Sequence, residues 1–487
     1  MPRIAQQTKR LLQRHETATN LARAVYRSYL AILREGLVLT RVVPRIVRSR
    51  LLGSRSDWKK SLPVQTPSHF AIGWGTAPFH IDLARQWCIS QNLPYGEGAD
   101  AFYLPPITWS RSPLASFQRL YPADCGLKIS REAGGCSNLY LTPREGRAST
   151  QRRFSYSHHQ QILVLNLLYS MGVGPRLFDL VELIDGTDVV WTAYVVEHFE
   201  GGPPSSATYD RIIGKLKDLA AAKLICLIGP HGWRADDFRK PDCNGNLIEK
   251  PDGRAAYIDI HNFVLDRYDQ HLEALARRVA ATSHFGGRSC LLGGLEGEFL
   301  YQEIPGTDLP AKRSPSERML TYDKLAQDAG ITFRNSVVFD VGCNLGLMGA
   351  EYLRREARWL HGWDMPEMVS AAEAVLLSTG CTRFSLTPGR LSGQSLLFDS
   401  LPAHIKDTDR QAGIVNYLAI RGHVGWMSAL KGLPWRYMIY EGHQNDEDLD
   451  AHLPGLAALV PIRVLARGTV EDANTKRRDA AIIERLE

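Results

Sequence analysis

Paired cysteines are missing from this sequence in every spacing that would staple it or bind a metal. Its eight cysteines (Cys88, Cys125, Cys136, Cys226, Cys243, Cys290, Cys343 and Cys381) are scattered over 487 residues. With no CxxC pair and no His/Cys group at zinc spacing, a disulfide scaffold and a structural zinc are both disfavoured, and a reducing compartment fits. Long apolar runs are missing too. No stretch approaches the roughly 18 uninterrupted apolar residues that a transmembrane helix needs. The N-terminus is broken by Arg every few residues and lacks an apolar stretch before a small-residue cleavage site, so it does not read as a secretory signal. A cytoplasmic protein is expected. Internal repeats and low-complexity tracts are also absent.

What is present is ordinary for a globular protein, with 44% hydrophobic and 23% charged residues, which excludes wholesale disorder and fibrous repeats. The length suggests two or three domains at about 150 residues each. The net charge of +6 is unevenly placed. The first 60 residues hold 14 Lys and Arg against 3 Asp and Glu, a net of +11, so the remainder carries −5. A slightly acidic body with a basic head argues against a nucleic-acid partner, although that head alone offers phosphate contacts.

Within residues 1–60, Leu21, Val25, Tyr29, Ile32 and Leu33 recur at helical spacing, Arg27, Arg34, Arg41 and Arg48 fall seven apart, and Pro44 should end or kink the helix. Such a basic amphipathic helix suits an anionic membrane surface. Two other readings are a helix packed on the body with a solvated Arg face, and an Arg-rich mitochondrial targeting peptide.

The clearest chemistry lies in the C-terminal third. Val337, Val338 and Phe339 form an apolar run ending in Asp340, which reads as a buried parallel strand. Gly342, Asn344 and Gly346 follow in a tight turn, and a helix is expected from about 347 to 356. A second strand, 359–363, ends in Asp364, placed to grip a ribose diol. Glycines here let backbone approach a ligand where a Cβ would block it. Two-phosphate dinucleotide binding is disfavoured, because Leu345 and Leu347 stand where the GxGxxG fingerprint requires glycine. Strands are also expected at 412–420, with His423 just beyond it as a general-base candidate, and at 436–443, with Glu441 and His443 as weaker site candidates. A hydrogen-bonded loop histidine is the alternative for His423.

The run "VVFDVGCNLG" resembles the first motif of class I S-adenosylmethionine-dependent methyltransferases, and Asp364 falls at their ribose-binding acid. The resemblance covers roughly residues 296–487. It implies a Rossmann-like doubly wound sheet, with S-adenosyl-L-methionine as cofactor. Asp340, Gly342 and Gly346 would shape the methionine and sulfonium pocket, with Asn344 in the same turn, and Asp364 would hold the ribose.

The middle of the chain, about 115–285, orders its pieces differently. A hairpin is expected around Gly134-Gly135, then a helix, a Gly-Pro turn and a strand (157–180). A buried strand follows at 194–202, then a helix near 209–228, an Asp-bearing loop, a PDG turn and a strand ending "YID". That order resembles the protein-kinase-like superfamily, particularly its small-molecule and lipopolysaccharide kinase branches. The resemblance implies an α+β domain using ATP and Mg²⁺. Asp237 would be the catalytic-loop residue, with Asp236 and Asp242 as rivals. Asn246 and Asp259 would be the metal ligands, with Asn244 as a rival to Asn246. The sequence departs from the pattern. His231-Gly232-Trp233 replaces the usual His-x-Asp, Lys128 lies too early for the phosphate-gripping lysine, and Gln160 and Gln161 stand where a Glu is needed. A pseudokinase that binds without chemistry is therefore the alternative.

The expected organisation is a basic helical segment (1–60), an unassigned α/β stretch (61–114), a kinase-like domain (115–285), a linker (286–320) and a methyltransferase (321–487). Trp74, Tyr95, Phe102, Tyr103 and Trp109 in the unassigned stretch are expected to pack in a core rather than stack sugars. Kinase–methyltransferase fusions that cap bacterial surface polysaccharides carry the two modules in the opposite order, so the analogy is one of chemistry. The functional expectation is methylation, with or without phosphorylation, of a glycan or glycolipid acceptor at the cytoplasmic membrane surface. The alternatives are a methyltransferase with an inactive kinase-like module, and an RNA methyltransferase.

Overall fold

The computed structural model describes residues 68–71, 73–74, 77–78, 81–97, 101–130, 158–185, 188–222, 225–227, 247–258, 263–265, 267–282, 286–291, 295–393, 397–443, 449–471 and 477–486. The basic segment 1–60, the hairpin expected at Gly134-Gly135, and Asp237, Asn246 and Asp259 all lie outside them. The α/β class expected from the sequence is what the structure has, built on two large sheets.

The first sheet has six strands: β1 (Ser68–Ala71), β2 (Gly96–Glu97), β3 (Ala101–Leu104), β4 (Cys125–Ser130), β5 (Leu177–Asp185) and β6 (Asp188–Glu197). Their order across the sheet is β1-β5-β6-β4-β3-β2, with β1 parallel to β5 and the other pairs antiparallel. The stretch 61–114 thus joins the sheet of the middle region rather than standing alone. Phe102 and Trp109 are fully buried, as expected of core aromatics. Helices α1 (Ile81–Ser90), α2 (His158–Ser170), α3 (Ser206–Ala221) and α4 (Tyr268–Ala280) accompany it. After α3, strand Ile225–Leu227 pairs antiparallel with Phe263–Leu265, and Leu247–Glu249 forms a hairpin with Ala255–Tyr257 around the PDG turn. The expected linker, 286–320, carries a hairpin, Gly286–Leu291 with Leu295–Leu300, and the start of the next helix.

The second sheet has seven strands: β7 (Val337–Val341), β8 (Trp359–Asp364), β9 (Phe384–Pro388), β10 (Gly413–Leu418), β11 (Tyr437–Glu441), β12 (Ile462–Glu471) and β13 (Arg477–Arg485). They run β9-β8-β7-β10-β11-β13-β12, parallel through the first five, with β13 antiparallel between β11 and β12. Helices α5 (Pro315–Ala329), α6 (Leu347–Arg354), α7 (Pro366–Ser378) and α8 (Leu449–Ala457) pack around it. Every residue of β7 is buried, which explains its unbroken apolar run: a central parallel strand is covered on both faces. Successive side chains alternate between faces. Val338, Leu360, Ile414, Ile439 and Ile482 meet α5, α6 and α7 on one side, while Val337, Phe339, Val415, Met438 and Ile483 join the opposite core.

A polar seam joins the two regions. Asn166 of α2 donates to the Leu377 and Cys381 carbonyls at 2.9 and 3.0 Å, and Tyr268 donates to the Ser378 carbonyl at 2.8 Å. Arg176 pairs with Glu373, and buried Arg383 pairs with buried Asp179, which also accepts from Tyr121.

Candidate functional site

The order of the second sheet reverses between β7 and β10, so their connections leave in opposite directions and a crevice opens at their C-terminal ends. The turn after β7 lies there. Gly342, Asn344 and Gly346 have φ of +76°, +51° and +72°, three left-handed residues within five. Glycine takes that conformation without penalty, and asparagine is among the side chains that tolerate it best. A Cβ on Gly342 would lie 2.8 Å from the Ile420 side chain, so the turns after β7 and β10 touch at this point.

Asp364 ends β8 beside that turn. Its carboxylate accepts the Asn344 backbone N–H on Oδ2 and its neighbour Met365 N–H on Oδ1, both at 2.8 Å. The acid is thereby fixed in orientation at the start of α7. Asp340, buried at the end of β7, accepts from the Asn416 amide on Oδ1 at 2.6 Å, and Asn416 in turn accepts from the Tyr352 hydroxyl at 2.8 Å. Asp340 Oδ2 and Asn344 Oδ1 are buried without a hydrogen-bond partner among the described residues. Burial pushes the Asp340 carboxyl up to about 7. The Asp364 charge adds to that rise, while the Asn416 hydrogen bond and Arg318 oppose it. Unsatisfied buried acceptors at a glycine turn are what a donor-bearing ligand would complete, so the residues fit the cofactor the motif implies.

The structure brings Asp340, Gly342, Asn344, Gly346 and Asp364 together, and Ile420, three residues before His423, abuts Gly342. His423 lies on the short helix Arg421–Val424, exposed, with its ring edge-on to His443 at 4.3 Å between centroids. Partial burial, and then the His443 charge, lower its pKa.

Glu441 has a different position from the one proposed for it. It is fully buried and accepts from Arg318 Nε and Nη2 (2.9 and 2.5 Å), from Arg478 Nη1 (2.8 Å) and from the Tyr322 hydroxyl. Burial pushes its carboxyl up, but the Arg318 charge and the hydrogen bonds outweigh that and hold it low. It braces the end of β11 against α5 and β13.

No family model matches the sequence, and no curated protein matches it. Among solved structures, the N-terminal domain of EvdMO1 with S-adenosylhomocysteine bound is 13% identical, with 46% of this chain and 98% of that chain covered and a TM-score of 0.30. M. capricolum TrmK in complex with the same cofactor product is 12% identical over 34% of this chain and 68% of that chain, with a TM-score of 0.26. Magnesium protoporphyrin IX methyltransferase from Synechocystis PCC 6803 with S-adenosylhomocysteine bound is 14% identical over 35% and 83%, with a TM-score of 0.25. At that overlap the likenesses stand as observations only, and the functional reading rests on the geometry of the crevice.

Asn416, and the Arg318, Tyr322 and Arg478 side chains that surround Glu441, are residues that the sequence reading did not single out. Asn416 had a signal, being the one polar residue in the apolar run "GIVNYL". Among the described residues, no group of three or more His, Cys, Asp or Glu is placed to hold a metal, and no helix is long and apolar enough to cross a membrane.

Proposed function

We propose that the chain is an S-adenosylmethionine-dependent methyltransferase whose cofactor site is the crevice between β7 and β10. One observation carries the reading: the left-handed turn of Gly342, Asn344 and Gly346 is tied through the Asn344 N–H to Asp364, the acid that ends the next strand. Asp340 and the turn would hold the methionine part of the cofactor, and Asp364 would take the ribose hydroxyls. When bound, the cofactor supplies an electrophilic methyl group on a sulfonium. The chain's residues do the rest. The turn orients the cofactor, and His423 would accept the acceptor's proton as its oxygen or nitrogen attacks. A depressed histidine pKa keeps that imidazole neutral near pH 7, the form a base requires.

Calorimetry with S-adenosylmethionine tests the assignment. Asp364→Ala removes a charged hydrogen-bond acceptor worth about 1.5–3 kcal/mol and should weaken binding by at least about tenfold. Unchanged affinity refutes the ribose role.

A kinase-like reading of the first region is supported by its element order. A helix (α2) precedes a hairpin (β5–β6), then come an irregular connection, a helix (α3) and two short strand pairs, with Asp237 and Asn246 falling between them in sequence, outside the described residues. Lys128, set aside as too early, sits on β4 directly beside β6 and is the lysine this reading would use. ATP and Mg²⁺ belong to that reading, through Asp237, Asn246 and Asp259. A glycan or glycolipid hydroxyl near an anionic membrane surface is the acceptor we favour. An RNA acceptor would instead show affinity that falls steeply with salt.

A further inference from the structure

The turn that carries His423 is held from β11. Ala419, just past β10, is left-handed at φ +56°, an unusual conformation for alanine. Its N–H donates to the Glu441 carbonyl at 2.9 Å, and its carbonyl lies 2.9 Å from His443 Nδ1. A carbonyl only accepts, so the proton sits on Nδ1. The His443 ring packs against the next bend of the same turn: a Cβ on Gly422 would come within 2.5 Å of it. Between these two contacts, Ile420 abuts Gly342 of the turn after β7, and beyond them the His423 and His443 rings meet in a T-shaped pair.

We propose that His443 is the positioning residue of the crevice, fixing the Ala419 turn so that Ile420 closes on the cofactor glycine and His423 stands at the acceptor mouth. The proposal rests on the methyltransferase reading for its function, though its geometry is independent of it. Among the described residues, the charged group that acts on His423 is His443, from the β11 side, while Arg421 on the same short helix donates to the Tyr440 hydroxyl at 3.2 Å. Partial burial and the His443 charge keep His423 below its ordinary value.

The test uses the full chain, with S-adenosylmethionine calorimetry and a side-chain NMR titration of His423, its signal assigned from His423→Gln. His443→Leu keeps bulk but removes the donor, and His443→Asn keeps a donor near the Nδ1 position. The Leu variant should bind S-adenosylmethionine about fivefold more weakly, the loss of one hydrogen bond. Its His423 midpoint should rise toward the ordinary value of about 6.5. The Asn variant should recover most of the affinity. Wild-type affinity with an unmoved His423 midpoint in the Leu variant overturns the proposal, and so does an Asn variant no better than Leu. If the unaltered chain binds no S-adenosylmethionine, the methyltransferase reading fails, while the His423 titration still decides what His443 does.

Discussion

Asp340→Asn is expected to make the protein more stable, increasingly so as pH rises. The native carboxyl is buried at the end of β7, with one oxygen held by Asn416 and the other without a described partner. Its pKa rises from 3.8 to about 7, chiefly through burial. A group whose folded value is raised contributes its stability below the unfolded value, and that stability is lost as pH climbs toward the folded one. Each unit of the interval is worth about 1.4 kcal/mol, so the ionised native acid costs about 4 kcal/mol above neutrality and about 1.5 kcal/mol near pH 5. Asparagine keeps the shape and the contact with Asn416 but carries no charge to bury. Denaturant unfolding of the cofactor-free protein at several pH values, wild type beside variant, isolates the residue because all other titrations cancel. The stability gap should widen from about pH 4 and level off near pH 7–8. A gap that stays flat with pH would refute both the burial argument and the picture of a site held under strain until a ligand completes it. The same variant should bind S-adenosylmethionine more weakly, the usual exchange between stability and function at a prepared site.

Two further outcomes are expected. Glu441→Gln strands two buried guanidiniums, Arg318 and Arg478, and should destabilise the protein by about 3–5 kcal/mol in denaturant unfolding. Because the Glu441 carboxyl is held low, that stabilisation is complete above the ordinary carboxylate range and fades as pH falls through the folded value, so the gap should close in acid; a gap that persists there counts against the charge argument. If the first region transfers phosphate, Asp259→Ala should abolish ATP turnover in the presence of acceptor extract and leave S-adenosylmethionine binding intact. Methyl transfer without any ATP turnover in the unaltered chain would leave that region a binding module.

The cofactor turn was legible because its chemistry is local. An apolar run predicts a central strand, and the glycines sit at its left-handed residues, with Asn344 at the third such position. The second acid, Asp364, follows at the distance set by one helix. His423 and His443 were each legible as strand-end histidines, but not as a pair, since the contact depends on how two turns stack. Arg318 and Glu441 are far apart in sequence, and a lone Glu at a strand end reads as a site acid until its buried arginines are seen. The 61–114 stretch was opaque for a related reason. Its strands are two to four residues long, and β1 finds its partner only in β5, more than a hundred residues later.

The end of α7 shows what that distance means for assembly. The last carbonyls of a helix have no partner within it. Here the Leu377 carbonyl takes Asn166 in addition to the Gly380 N–H, and the Ser378 carbonyl takes Tyr268, side chains that precede those carbonyls by 211 and 110 residues. A polypeptide cut before β7 would therefore present a helix whose final turn has lost these two side-chain donors. During synthesis the capping side chains emerge first and wait for the helix they serve. The second sheet should consequently finish folding against a preformed first region, and maturation of the crevice at β7 is tied to the integrity of a surface on the far side of α7.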